Sequence, residues 1–88
     1  MGRSKNVSHA QVSREIEKAL GVLALIRGKN DLRTYEKVAD ALGLSYPSRA
    51  LFDGALEAVN RAHPRDCGFL RSEALIEGIR AALETFAK

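Results

Sequence analysis

Residues 34–56 read TYEKVADALGLSYPSRALFDGAL, and the spacing of their apolar positions governs how the rest of the chain is read. Tyr35, Val38, Ala39 and Leu42 fall three and four apart, which places them on one helical face. Gly43 ends that face where a backbone able to take a positive φ is wanted. Leu44-Ser45-Tyr46 forms a tight connection, and Pro47 suits a first helical turn because the N–H it lacks would have no intrahelical partner. Leu51, Phe52, Ala55, Val59 and Ala62 continue as a second apolar stripe. The expectation is two helices, about 34–42 and 47–62, meeting at a corner. Thr34 is expected to cap the first, with Glu36 in its first turn suiting the dipole, and Ser45 or Ser48 the second. Gly54 sits inside the second helix, where glycine costs about 1 kcal/mol relative to alanine. It points either to close helix packing or to nothing in particular, and the sequence does not decide between them.

Both flanks carry longer stripes. Ser8 and Gln11 fit a capping box, and Val12, Ile16, Ala19, Leu20, Leu23 and Ile26 follow at helical spacing. Gly28 stands where a left-handed residue closes a helix, between Arg27 and Lys29, which suit the negative end of the dipole. This predicts a helix over about 9–27, then a loop at 29–31. His63-Pro64-Arg65-Asp66-Cys67-Gly68 is the strongest break, since proline disfavours helix at the residue before it and Asp and Gly favour a turn. Phe69-Leu70 suits either an extended piece or a first helical turn. Ser72 precedes Leu75, Ile76, Ile79, Ala82, Leu83 and Phe86, a stripe that predicts a helix over about 72–87. No stretch alternates apolar and polar residues for any length, so no sheet is expected. The expected architecture is all-α: a compact four-helix domain over residues 8–88, preceded by a flexible basic arm at 1–7.

Composition agrees. Eighty-eight residues, 45% of them hydrophobic, make one small core and exclude wholesale disorder. The formal net charge is +3, a mild attraction to phosphate or to acidic surfaces. Cys67 is the only cysteine, which excludes an internal disulfide and a four-cysteine zinc site, and suits a reducing, cytoplasmic setting. No apolar run is long enough for a membrane span, and the N-terminus lacks the apolar core of a signal peptide. His63, Asp66 and Cys67 are too few for a metal site, and no third group orients a His63–Cys67 pair for nucleophilic work. With no Gly-rich phosphate loop either, the expectation is no enzyme, no metal and no cofactor.

Val38-Ala39, Leu42-Gly43-Leu44 and the apolar positions of the following helix resemble the helix-turn-helix DNA-binding family of bacteria and phages, over residues 34–62. Two helices crossing steeply need a small residue where they touch, here Ala39, and a residue such as Leu44 to seal the corner. The opening TYEKVADALGL also looks like the helical half of alkyltransferase-like DNA repair proteins. Their Pro-Cys-His-Arg nucleophile motif is absent, Cys67 standing in Arg-Asp-Cys-Gly, so that activity does not carry over. The helix-turn-helix resemblance implies a small transcriptional regulator of a bacterial or mobile-element system, with double-stranded DNA as partner and the second helix in the major groove.

At 100° per residue, the solvent face of that helix carries Ser48, Arg49, Asp53, Glu57, Asn60 and Arg61. Arg49 suits guanine, and Asn60 suits adenine or a phosphate. Ser45, Tyr46 and Ser48 are expected to offer phosphate contacts at the helix N-terminus. Arg33 and Lys37 add charge, and Arg3 and Lys5 in the arm suit a groove. Asp53 and Glu57 oppose this, because carboxylates repel phosphates; Glu57 also lies four before Arg61 and suits an ion pair. These acids carry the alternative, a small helical inhibitor or adaptor, for example phage-encoded, acting on a host protein with no DNA role. Helices 1 and 4 are apolar enough to serve a homodimer, and Val22, Leu25 and Leu56 fall off the main stripes as an expected exposed partner surface.

Overall fold

A computed structural model describes residues 8–28, 32–65 and 68–87. They form α1 (His9–Leu25), α2 (Leu32–Leu42), α3 (Tyr46–Ala62) and α4 (Gly68–Ala87), with no strand among them. The all-α four-helix expectation therefore holds. The arm with Arg3 and Lys5, the 29–31 loop and Cys67 lie outside the described residues.

α1 begins where its own sequence closes it. The Gln11 N–H donates to Ser8 Oγ at 3.1 Å. The reciprocal half of the expected box does not form: the Gln11 amide donates forward to Glu15 Oε2 at 3.0 Å. At the other end Gly28 takes φ +100°, and Gly43 takes φ +62° at the corner between α2 and α3, a region that bulkier residues avoid. Gly43 does what the sequence demanded of it, whereas α1 ends at Leu25 with Ile26 as its C-cap, so Gly28 turns the chain beyond the helix end rather than closing the helix, and Arg27 lies outside the last turn.

α4 runs antiparallel to α1. His9 meets Phe86 edge-on, ring centroids 4.8 Å apart, and at the opposite end Arg27 Nε pairs with Glu73 Oε2 at 2.8 Å. α3 returns along α4's other side: the position of a Gly78 Cβ would lie 3.5 Å from the Ala55 Cβ, and Arg71 donates to the carbonyls of His63 and Pro64 at the end of α3. The core is one cluster built around the fully buried Ile16, Leu23, Tyr35, Phe52, Leu75 and Ile79. Each contributes about 1.5–3 kcal/mol by leaving water.

Three expectations about ends are corrected. α2 starts at Leu32, so Thr34 lies in its first turn rather than at its cap; Leu32 packs against the core and draws the helix back. α4 starts at Gly68, four residues before the expected position, and Phe69-Leu70 is helical. Ser72 is therefore no cap. It is 1% exposed, accepts the Gly28 N–H at 3.2 Å and hydrogen-bonds the Tyr35 hydroxyl. Ser72 thus ties α1's end, α2 and α4 together, which matters most for α2, whose buried residues are Tyr35 and Ala39. Among the apolar positions, Leu56 is buried rather than exposed, Val22 is half-buried, and Ala62 faces solvent. Only Leu25 of the expected off-stripe surface is open, at 85% exposure.

Candidate interaction face of α2 and α3

The residues expected to meet DNA do not share one environment. Ser48 is fully buried, so its place on a groove-facing surface is corrected. The 100° projection puts it at the edge of the solvent face, and packing of α1 across the start of α3 covers it.

The N-terminus of α3 is already occupied. Ser45 is its N-cap residue but makes no side-chain cap bond. Instead the Ser45 N–H and hydroxyl both donate to Glu15 Oε1 of α1, at 3.0 and 2.8 Å. A carboxylate from another helix fills the position where a phosphate would sit, and the dipole favours it there for the same reason. Partial burial pushes the Glu15 carboxyl up, but donation from Ser48, Gln11 and Ser45 outweighs it and brings the group down to about 2. The Ser45 donors expected to meet a phosphate are thus engaged by Glu15, and Ser48 is buried beside them. Tyr46 stands outside this arrangement, 85% exposed.

Arg49, the expected guanine reader, is held on both sides. Its Nη1 meets Asp40 Oδ1 at 2.7 Å and its Nε meets Asp53 Oδ1 at 3.0 Å. The two carboxylates raise its pKa further. Reading guanine would require Arg49 to exchange these two pairs for a base edge. The expected Glu57–Arg61 pair is not among the ion pairs of the described residues. Asn60 and Arg61 are exposed on α3, Arg33 and Lys37 on α2.

Between the two helices lies an open groove of about 590 Å³. Leu32, Ala50, Gly54 and Leu56 form its apolar part, and Glu36, Asp53 and Glu57 supply carboxylates, with Arg49 and Asn60 beside them. Asp53 is already paired with Arg49, which leaves Glu36 and Glu57 as the other carboxylates of the groove. Glu36 and Glu57 have no ion pair among the described residues. The described residues contain no cluster of metal-ligating side chains and no helix long and apolar enough to cross a membrane.

Sequence reasoning reached Asp53 and Glu57 and missed Glu15, Glu36 and Asp40. Nothing in local spacing connects Glu15 to Ser45, thirty positions away. The i,i+4 relation of Gln11 and Glu15 was legible, but it points along α1 rather than across to α3. No family model, no curated protein and no solved structure matches this chain.

Proposed function

We propose that this chain is a small helical protein-binding module, an inhibitor or adaptor that engages another protein through the face of α2 and α3. One observation carries the reading: the groove between α2 and α3 is lined by Glu36, Asp53 and Glu57 against Arg49 alone, and Arg49 is itself paired with Asp40 and Asp53. Arg49 is neutralised by Asp40 and Asp53, and the anion-receptive end of α3 is filled by Glu15. A polyanion approaching there meets Glu36, Asp53 and Glu57. Protein partners tolerate such mixed polar rims around a small apolar centre.

The second reading, duplex DNA, is favoured by the exposed Lys37, Tyr46 and Arg61 and by the overall charge of +3. A pull-down with and without nuclease, joined to a duplex titration at about 150 mM salt, separates the two. The protein-binding reading expects a captured partner that survives nuclease and no saturable duplex binding. Saturable binding of duplex with a steep salt dependence, weakened by Lys37→Ala and Arg61→Ala, would overturn it in favour of the regulator.

A further inference from the structure

We infer that the groove between α2 and α3 is a docking site for a cationic helical segment that lays an apolar side chain over Gly54. The inference rests on the protein-binding reading and names the kind of partner. Gly54 is the starting point. It lies in the middle of α3 and is exposed, its φ lies outside the left-handed region, and a Cβ added there would meet nothing within 4 Å. Close packing therefore does not explain it, unlike Gly78, which sits against Ala55. What the missing side chain does is leave the groove open between Ala50 and Glu57.

The groove has a definite character. Its apolar part, Leu32 and Leu56 with Gly54 between the helices, suits one aliphatic side chain. Its unpaired acids, Glu36 on α2 and Glu57 on α3, suit Lys or Arg on either side of that chain, with Asp53 between them held by Arg49. On a partner helix, residues three and four apart share a face, so one apolar residue flanked by basic ones at that spacing matches an apolar centre with carboxylates around it. Charge complementarity thus selects a basic segment over an acidic or nucleic-acid ligand.

The test uses a capped helical peptide of about 16 residues, with Lys at positions three and four away on both sides of a central Leu, titrated against the full chain by fluorescence anisotropy. Saturable binding is expected, and a peptide with Glu in place of Lys should not bind. Gly54→Leu fills the groove and should weaken binding by about tenfold or more. The combined Asp53→Asn and Glu57→Gln exchange should weaken it and flatten its salt dependence. Gly21 is also exposed in a helix with nothing near its Cβ position, and it lies on α1, away from the groove, so Gly21→Ala is the folding-matched control and should bind as the parent does. Circular dichroism confirms that each variant is folded. Undiminished binding by folded Gly54→Leu, or no saturable binding of the Lys peptide, overturns the groove. If a nuclease-resistant protein partner is still captured by Gly54→Leu, the groove fails while the protein-binding reading stands. If the chain itself binds labelled duplex saturably in the absence of peptide, that reading fails too.

Discussion

The α1–α4 pair is tied at both ends, while the α2–α3 pair leaves an open groove between its helices. Along α1 and α4 the apolar stripes meet each other and the rest of the core. One end is shut by His9 on Phe86 and the other by Arg27 on Glu73. α2 reaches the core through Tyr35 and Ala39, α3 through Phe52, Ala55, Leu56 and Val59, and between their outward surfaces lies a groove with the open Cβ position of Gly54 and the carboxylates of Glu36 and Glu57. The difference teaches where to look for function. The Arg27–Glu73 pair closes one end of α1 on α4, whereas Glu36 and Glu57 line the groove with no ion pair among the described residues.

The sharpest way to break this contrast is to cut into the α1–α4 pair. Leu75 is fully buried on α4, and Leu75→Ala is expected to cost about 2–5 kcal/mol through lost burial and the cavity left behind, measured by denaturant unfolding. A loss under about 1 kcal/mol would show that this pair is loosely packed. Next in size is the tie that holds α2. Tyr35→Phe leaves Ser72 with the Gly28 N–H but removes the hydroxyl contact, and should cost about 1–2 kcal/mol, with faster amide exchange in α2 than in α1.

The Glu15 contact makes a pH-dependent prediction. Its carboxyl sits at about 2 in the folded chain and near its ordinary 4.5 when unfolded. A depressed folded pKa stabilises the fold above the unfolded value and loses that contribution as pH falls from about 4.5 toward 2. Because Glu15 is partly solvated, the contribution near neutral pH is expected to be about 1 kcal/mol. Glu15→Gln should lower stability by that amount at pH 7, and the gap from the parent should close as the pH is taken down through that window. A gap constant with pH would mean that the Glu15 charge has no role in seating α3.

Two smaller effects sharpen the comparison. Gly54→Ala should raise stability by about 0.5–1 kcal/mol, since nothing opposes the added methyl. Stabilisation joined to weaker peptide binding is the combination that a purely structural glycine would not give. Arg27→Ala removes a half-exposed ion pair and should cost no more than about 0.5 kcal/mol.

Much of the fold was legible because it depends on local signals. The helical stripes of α1, α3 and α4, the positive φ of Gly28 and Gly43, and the Ser8 cap all follow from residues within a few positions of one another. What escaped was the long-range use of polar groups. Ser72 looks like a cap when seen against its neighbours, yet its hydroxyl serves Gly28 and Tyr35, 44 and 37 positions away. Ser45 was expected to offer its donors to an incoming anion, and Glu15 takes both. The site was legible in its composition but not in its balance. Asp53 and Glu57 were visible on the projected face, whereas the neutralisation of Arg49 depends on Asp40 crossing from α2, which no spacing rule supplies.

The account turns on which face of the folded chain meets a partner. The most direct measurement is an amide chemical-shift titration of the isotope-labelled chain with the Lys-flanked helical peptide and, separately, with a DNA duplex. Perturbations from the peptide centred on Leu32, Glu36, Gly54 and Glu57, with α1 and α4 unmoved and the duplex without effect, are the predicted result. Peptide shifts scattered over α1 and α4, or saturable duplex shifts at Lys37, Tyr46 and Arg61, would contradict it.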